Sequence, residues 1–310
     1  MKYSVIIPVF NEEKNIPALH AEVITVMNNL GQPYEVIVVD DGSVDGTAGV
    51  LNTLSPLTVI RLRKNFGQTA ALDAGIKHAS GEIIITLDGD GQNPPSEIPK
   101  LLTVMEEKRV DVVSGWRQER HDPFMKRFVS RGAYGLRSIF VKDHIHDSGC
   151  SLKVYKKECF NEVDLFGEMH RFIPAVLAWS GFSIAEAPIA HRPRLHGKTK
   201  YNWKRVYKGF IDMLAIWFWR KYARRPLHLF GGLGLGLIVG AILLFIALFI
   251  KKFIFHHGLA DSNIPLLAVL LTILGVQFFI FGLLADILIR IYYDGPRKPY
   301  AIKEILTIKK

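Results

Sequence analysis

Two long uncharged segments near the end of the chain constrain its fold more than any other feature. Residues 229–250 and 264–285 each contain 22 residues and no charged side chain. A helix of that length crosses a hydrocarbon core of about 30 Å. The mean hydropathy of +0.18 is high for a soluble enzyme, and the apolar excess lies almost entirely after residue 228. The sequence therefore predicts an integral membrane protein with two spans.

Basic residues predict the orientation of these spans. Ten lysines and arginines flank the pair on its outer sides, whereas the connecting loop contains two. Positive charge concentrates in cytoplasmic segments, so both termini and the N-terminal region are expected in the cytoplasm, at a bacterial inner membrane. We assign residues 226–290 to a transmembrane hairpin and residues 291–310 to a basic cytoplasmic tail.

Residues 203–225 combine aromatic and aliphatic side chains with basic residues at both ends. An amphipathic helix lying in the bilayer interface has this composition, and a helix packed on the enzyme core is the alternative. The net charge of +10, from 39 basic and 29 acidic residues, fits an anionic lipid surface. No nucleic-acid partner is expected, because much of the basic excess lies beside the spans and no nucleic-acid module is present.

Glycines recur at every fourth residue of the first span, at Gly232, Gly236 and Gly240. Small residues at this spacing can bring helices close together. Helix pairing there, including a homo-oligomer formed through the transmembrane helices, is one expectation. The same spacing is also common by chance, so the pattern does not require it.

The first 202 residues have a different pattern, in which short apolar runs alternate with amphipathic helical stretches. The runs are YSVIIPVF, YEVIVVDDGS, LTVIRL, EIIITLDGD and VDVVSGW. Strands that are apolar at nearly every position are buried on both faces, and helices between them imply a mostly parallel sheet. The sequence thus predicts an α/β catalytic domain over residues 1–202. The opening residues do not resemble a signal peptide, and the two cysteines have no disulfide or zinc spacing.

Acidic segments follow three of these runs. They are Asn11-Glu12, Asp40-Asp41-Gly42-Ser43 and Asp88-Gly89-Asp90. Ligands of open parallel sheets bind outside the carboxyl ends of the strands. We therefore expect the three segments to meet in one crevice.

The segment after the fourth run has an oxygen-bearing side chain at every second residue. If the extended strand continues, Asp88, Asp90 and Gln92 point to the same side. Hard oxygen ligands suit Mg²⁺ or Mn²⁺, which keep open positions for substrate phosphates. A solvated turn is the alternative, since Asp-Gly pairs are common in turns. The two other acidic segments favour the metal site.

Four segments together resemble a known family. VIIPVFNEEKNI, VIVVDDGSVDGT, RLRKNFGQTAALDAGIKHASGEIIITLDGDGQNPP and VVSGWRQER follow, in order and spacing, the family-2 inverting glycosyltransferases of GT-A fold. Within that family the chain resembles the polyprenyl-phosphate glycosyltransferases, the group of dolichol-phosphate mannose synthase and bacterial bactoprenol glucosyltransferases. The resemblance implies a UDP-sugar donor, a polyprenyl-phosphate acceptor and a lipid bilayer as partners.

The resemblance also assigns residues to the donor. It places Pro8, Phe10, Glu12 and Asp41 around the base and ribose, with Asp41 accepting a hydrogen bond from the uracil N–H. Asp41 and Ser43 could instead cap the following helix; we favour nucleotide contact for Asp41 and a turn or cap for Ser43. The family's metal-binding motif matches Asp88, Asp90 and Gln92, where the metal offsets charge on the leaving nucleotide.

The acceptor determines which groups the chemistry needs. A phosphate monoester has a second pKa of about 6, so its oxygen is already a nucleophile at neutral pH. Cations that hold two repelling phosphates are then needed more than a base. The resemblance assigns Arg117 and Arg131 to the acceptor phosphate and Arg194 and Lys200 to the diphosphate, with a solvated surface cation as the alternative for each.

One further carboxylate, Asp147, lies where related enzymes place an acid near the acceptor. It could orient the acceptor, contact the sugar or belong only to a turn. We count it, with Asp90 and the two acceptor arginines, among the catalytic residues.

Three functions compete. The favoured one is inverting transfer of a sugar, with glucose as first choice, from a UDP-sugar to polyprenyl phosphate. A transferase directed at a glycan or lipid hydroxyl is disfavoured. Processive members of the family have a Gln-x-x-Arg-Trp motif and further spans, and this sequence has neither. An inactive membrane scaffold would be expected to lose Asp88 or Asp90, and both are present.

Overall fold

The computed structural model describes residues 1–118, 145–161, 163, 165, 167, 169–193, 218, 221–222, 225–253, 263–293 and 302–308. The chain divides into two compact units, one of Met1–Phe210 with Lys298–Lys310 and one of Ile211–Arg297. The interfacial helix expected at 203–225 falls almost wholly outside the described residues.

An eight-stranded sheet forms the centre of the first unit. Its strands are β1 (Tyr3–Val9), β2 (Tyr34–Asp40), β3 (Leu57–Leu62), β4 (Ile83–Thr86), β5 (Val112–Trp116), β6 (Lys153–Lys156), β7 (Ile184–Pro188) and β8 (Ile302–Ile308). They lie in the order β7-β5-β6-β4-β1-β2-β3-β8. The strands β4, β1, β2 and β3 are parallel, whereas β6 is antiparallel to both of its neighbours. The prediction of a mostly parallel sheet is confirmed.

Helices cover both faces of this sheet. They are α1 (Ile16–Asn29), α2 (Thr47–Leu51), α3 (Gln68–His78), α4 (Ile98–Lys108) and α5 (Ile173–Trp179). Side chains of α1, α2 and α4 share one core with Ile7, while those of α3 and α5 share the other with Ile6. Successive strand residues therefore enter opposite cores, which is why the sequence shows continuous apolar runs.

The last strand of the chain joins the edge of the sheet. β8 pairs antiparallel with β3, with Ile308 opposite Leu57. Leu306 and Ile308 pack partly buried against the core that contains α1, while Ile305 is 45% exposed. The segment expected only as a basic tail thus contains a sheet strand. Short sequence patterns do not reveal it, because its partner strand lies far earlier in the chain.

The second unit contains two long helices, α6 (Pro226–Phe253) and α7 (Ile264–Tyr293). Pro226–Phe253 and Ile264–Ile289 have mean hydropathies of 2.9 and 2.5, so both are long and apolar enough to cross a membrane.

The two helices of this unit come into close contact at glycines other than the predicted ones. An added Cβ on Gly234 would lie 2.6 Å from the Gly275 carbonyl oxygen, so only glycine allows the backbones to come this near. Gly232, Gly236 and Gly240 have open space around their α-carbons instead. Their repeat is not the contact between α6 and α7, and the expected homo-oligomer stays a prediction.

Candidate active site

The carboxyl ends of three adjacent strands form one crevice. β1 lies between β2 and β4, so the segments that follow Val9, Asp40 and Thr86 are neighbours. The Asp41 N–H donates to the Val9 carbonyl oxygen at 2.9 Å. Gly89 lies so close to β1 that an added Cβ would be 2.7 Å from Cγ1 of Val9, which explains the glycine between two aspartates.

The Asp41 side chain joins the loop after β3 to the end of β2 through hydrogen bonds. Its Oδ1 accepts the N–H of Phe66 at 2.7 Å, and its Oδ2 accepts the N–H of Gly67 at 2.9 Å. Burial raises the pKa of Asp41, although the two N–H donors act in the opposite direction. The loop crosses over Gly42, whose φ is +71° and whose added Cβ would lie 2.5 Å from the Lys64 carbonyl carbon. The alternative role of Asp41 as a helix cap is not observed.

Further hydrogen bonds join the loop after β1 to the loop after β2. The Ser43 N–H donates to Asp40 Oδ1 at 2.9 Å, and the Ser43 Oγ accepts the N–H of Asn11 at 2.9 Å. The Glu12 N–H donates to Thr47 Oγ1, also at 2.9 Å. Ser43 therefore serves a turn, and the two loops hold each other in place beside the crevice.

The side chains assigned to the base and ribose differ in exposure. Pro8 is buried within β1, whereas Phe10, directly after β1, is 39% exposed. Glu12 is partly buried, and its Oε2 accepts Asn15 Nδ2 at 2.5 Å. Phe10 and Glu12 can thus reach a ligand with their side chains, while Pro8 acts within the sheet.

The segment Asp88–Gln92 turns instead of continuing β4. The strand ends at Thr86, the Asp90 Oδ1 accepts the Gln92 N–H at 3.1 Å, and Gly91 has a φ of +70°. The extended geometry considered for this segment is therefore wrong, because Asp90 folds its carboxylate back onto the following backbone. The turn still keeps all three oxygen-bearing side chains in one short segment of the crevice.

Asp88 is a strongly perturbed acid. Burial, and after it the charge of Asp90, raise the pKa of Asp88 to about 6. Gln68 Nε2 donates to Asp88 Oδ1 at 2.6 Å, and the Asp88 N–H donates to Ser151 Oγ at 3.1 Å. Two repelling carboxylates in a partly buried site suit a divalent cation. Within the described residues no group of three or more His, Cys, Asp or Glu side chains is placed to hold a metal ion. Asp88, Asp90 and Gln92 stay the predicted ligands.

Arg117 and Asp147, both assigned to the acceptor side, form a bidentate ion pair. Arg117 Nε lies 2.7 Å from Asp147 Oδ2, and Arg117 Nη2 lies 3.0 Å from Asp147 Oδ1. The two side chains are 16% and 3% exposed. Because both carboxylate oxygens accept from the guanidinium, the geometry favours Asp147 as the group that orients Arg117. The other cations predicted for the site, Arg131, Arg194 and Lys200, lie outside the described residues, and their roles stay predictions.

Three polar side chains near Asp88 were missed by the sequence patterns: Gln68, Ser151 and Lys153. Ser151 Oγ also accepts Asn93 Nδ2 at 2.7 Å and so connects the segment after β4 to the segment before β6. Lys153, the first residue of β6, is 3% exposed. The lysine within the run SLKVY was the available signal, because a fully buried lysine is rare.

Residues 4–164 match the family described as glycosyl transferase family 2. This segment contains β1 to β6, and with them every strand end of the crevice. The chain belongs to glycosyl transferase family 2. The predicted family is therefore confirmed, and the protein is a glycosyltransferase.

Two relatives extend the similarity along the whole chain. Dodecaprenyl-phosphate galacturonate synthase of Rhizobium johnstonii is 37% identical over 98% of this chain and 93% of its own length. Undecaprenyl-phosphate 4-deoxy-4-formamido-L-arabinose transferase of Proteus mirabilis is 33% identical over 100% of this chain and 95% of its own length. Among solved structures, mannosyl-3-phosphoglycerate synthase from Rubrobacter xylanophilus has a TM-score of 0.58 at 18% identity, over 70% of this chain and 74% of that one. This likeness supports the GT-A fold of the first unit.

Proposed function

We propose that the protein transfers a sugar from a UDP-sugar to a polyprenyl phosphate, with inversion at the anomeric carbon. The observation that carries the proposal is the acidic turn Asp88–Gln92 beside the Asp41 loop. It occurs in a family-2 chain, and the two relatives described above are both named for a polyprenyl phosphate. The two long apolar helices would keep the enzyme at the membrane, where such an acceptor lies.

The nucleotide binds at the ends of β1 and β2 in this proposal. Phe10 offers an exposed ring to the base, and Glu12 accepts from the ribose. Each Asp41 oxygen accepts one backbone N–H and has a second lone pair. One of these lone pairs accepts the uracil N–H, while Pro8 keeps β1 in the position that presents these groups.

Asp88, Asp90 and Gln92 hold Mg²⁺ or Mn²⁺. The bound ion would offset the negative charge of the diphosphate as the nucleotide leaves. Gln68 holds one oxygen of the Asp88 carboxylate, and Ser151 accepts from the Asp88 backbone. The protein thus orients this carboxylate before any ligand binds.

The acceptor phosphate needs cations more than it needs a base. Arg117 binds it, and the Asp147 carboxylate fixes the direction of the Arg117 guanidinium. Arg131 adds a second acceptor contact, while Arg194 and Lys200 bind the diphosphate. A dianionic phosphate oxygen attacks without losing a proton, so Asp147 acts here through orientation.

The connectivity of β8 supports the proposal that the catalytic unit and both ends of the hairpin lie on the same side of the membrane. The chain leaves the first unit before α6 and rejoins its sheet after α7. Two spans return a chain to the side on which it began, and the excess of flanking lysine and arginine indicates the cytoplasm. We therefore place the catalytic unit and both termini on the cytoplasmic face of a bacterial inner membrane.

The identity of the transferred sugar is the most specific part of the proposed function. Glucose was expected from the sequence, whereas the two relatives are named for galacturonate and for a formamido-arabinose. A donor panel therefore needs UDP-hexoses, UDP-hexuronates and UDP-amino sugars.

The test offers this panel with Mn²⁺ to the full-length protein, with undecaprenyl phosphate or undecaprenol as acceptor. We expect one donor or more to glycosylate the phosphate and none to glycosylate the alcohol, because the alcohol lacks the charge that Arg117 would bind. An α-linked donor should give a β-linked product. Equal transfer to the alcohol, or an α-linked product, would contradict the proposal.

A further inference from the structure

A cavity of about 120 Å³ opens beside Asp88. It lies between the end of β4, the helix α3, the start of β6 and the turn Met169–Arg171. Its polar lining includes Gln68, Lys153, His170 and Arg171. The volume is several times what one water molecule needs, so a small chemical group of a ligand has room there.

Lys153 presents a buried cation to this cavity. Its Nζ donates to the carbonyl oxygens of Cys150 and, at 3.4 Å, of Ser148. Within the described part of the chain, no carboxylate lies at ion-pair distance from this ammonium. Burial lowers the pKa of Lys153 and outweighs the charges of Asp88 and Asp147, which favour the protonated lysine from beyond ion-pair distance. An anionic ligand would supply the missing charge.

Arg171 adds a second cation to the lining. Its Nε donates to His170 Nε2 at 3.3 Å, while His170 Nδ1 lies 2.9 Å from Thr69 Oγ1. Burial, and after it the charge of Arg171, lower the pKa of His170 to about 3, so the ring is neutral and can accept from the arginine. Among the described residues no acceptor is bonded to the two terminal nitrogens of Arg171. The histidine thus orients a guanidinium whose other N–H groups remain available.

The charges of the lining do not balance. Lys153 and Arg171 are two cations, and the acid of the lining is Asp88, which the proposed metal would engage. The group that fills the cavity should therefore itself carry negative charge. A lipid phosphate fits poorly, because it would have to bring its hydrocarbon chain into a small cavity next to a buried lysine. A carboxylate on a sugar ring carries no hydrocarbon chain, so it can enter the cavity without one.

We propose that the cavity receives the donor sugar, and that Lys153 with Arg171 binds a carboxylate on that sugar. The preferred donor is then a UDP-hexuronate. This inference rests on the proposed function, since it takes the donor diphosphate to lie at Asp88. Lys153 determines which donor is preferred, because a neutral sugar bound in place of the uronate leaves the buried Lys153 ammonium without an anionic partner.

Matched donor pairs test the inference. UDP-galacturonate and UDP-galactose differ only in a carboxylate or a hydroxymethyl group at C6, and UDP-glucuronate and UDP-glucose form a second such pair. The measurement is kcat/KM for transfer to undecaprenyl phosphate by the full-length protein with Mn²⁺. We expect the uronate of at least one pair to be favoured about a hundredfold or more.

Variants of Lys153 identify the cause of that preference. Lys153→Met should lower the ratio of uronate to neutral transfer at least about tenfold, while UDP alone binds as it does to the unchanged protein. Lys153→Arg should keep most of the preference. The matched control is Lys156→Met, because Lys156 lies at the other end of β6, is 42% exposed and pairs with Asp111. Its ratio should equal that of the unchanged protein.

Two outcomes would overturn the inference. One is equal use of both members of each pair by the unchanged protein. The other is a Lys153→Met variant that loses uronate and neutral transfer equally, since Lys153 would then bind a group that both donors share, such as a phosphate. If Lys153→Met does not fold, the variant Arg171→Gln is tested instead, because Arg171 is exposed. An unchanged ratio of uronate to neutral transfer in Arg171→Gln would then count against the inference.

Failure of the proposed function gives a different result. In that case no donor is transferred to undecaprenyl phosphate, whatever its sugar. Calorimetry then compares binding of UDP-galacturonate and UDP-galactose to the same protein with Mn²⁺. Tighter binding of the uronate, lost in Lys153→Met, would support the cavity assignment on its own, and equal binding would overturn it.

Discussion

Asp41 and Asp88 occupy equivalent places at the ends of two strands, yet their surroundings differ. Both acids follow a buried parallel strand, and the pKa of each is raised, first of all by burial. Asp41 accepts one backbone N–H on each oxygen and so holds the loop after β3. Asp88 accepts the Gln68 amide and is repelled by the neighbouring Asp90.

The difference separates an acid whose two oxygens both accept backbone N–H groups from an acid whose pKa is raised further by a neighbouring carboxylate. Two backbone donors stabilise the Asp41 carboxylate within the protein itself. At Asp88 the charges of Lys153 and Arg117 oppose burial and the repulsion but leave the pKa raised to about 6, so protonation or a further positive charge would stabilise this site. Position at a strand end therefore indicates a ligand-binding region, while the hydrogen-bond partners favour the proposal that Asp88, and not Asp41, would bind the ion.

Asp90→Asn should produce the largest effect. The amide keeps the shape of the side chain but not the charge that holds the divalent ion, so transfer should fall about a hundredfold to a thousandfold while the protein stays folded. Initial rates at saturating Mn²⁺ and a thermal melt check this. Glu106→Gln, an exposed acid on α4, is the matched control and should have the normal rate. A near-normal rate for Asp90→Asn in excess EDTA would rule out the metal site.

Removing β8 should lower the local stability of the crevice more at its Asp41 end than at its Asp88 end. Ending the chain after residue 300 takes away the partner of β3, and β3 leads into the loop that Asp41 holds. Loss of the partly buried Leu306 and Ile308 should cost about 3 kcal/mol of unfolding free energy. Amide exchange should rise in residues 63–67 and stay unchanged in 88–92.

Two single substitutions in β8 provide the control for that truncation. Leu306→Ala should reproduce part of the loss, whereas Ile305→Ala, at a 45% exposed position, should have little effect. Equal exchange at both ends of the crevice would show that β8 does not act through β3.

Asp41→Ala and Asp88→Asn should change stability differently. The first leaves the N–H groups of Phe66 and Gly67 without an acceptor and should cost about 2 kcal/mol. The second removes the repulsion with Asp90, so in the presence of a chelator the protein should be as stable as before, or more so. Urea denaturation measures both. Equal destabilisation by the two substitutions would mean that Asp88 also serves the fold.

The smallest effect concerns pH. The folded pKa of Asp88 is about 6, above its usual value of 3.8, so between these values the folded protein binds more protons than the unfolded chain. Stability without metal should then fall as pH rises from about 4 to 6, and level off above. Because Asp88 is partly exposed, the change should be about 1 kcal/mol. Thermal melts in chelator should show this slope in the unchanged protein and lose it in Asp88→Asn; an equal slope in both would assign it to another group.

Features that depend on local patterns were predictable from the sequence. Continuous β-branched runs gave the parallel strands, acids after those runs marked the crevice, and uncharged 22-residue segments marked the long helices. Features that depend on distant backbone groups were not. The loop held by Asp41 is recognised through N–H groups, which have no sequence signature, and the partner of Arg117 comes from the segment before β6, 30 residues further along the chain.

The position of β8 also has a consequence for how the protein is made. This strand follows both hydrophobic helices in the chain, so the ribosome produces them before it. Until then the outer edge of β3 has no partner, and an open edge is prone to pair with other chains. If only one helix inserts into the bilayer, residues 302–308 emerge on the wrong side and cannot reach β3. In the proposed topology, completion of the catalytic sheet would therefore require correct insertion of the hairpin, and a chain that inserts wrongly would also be left incompletely folded.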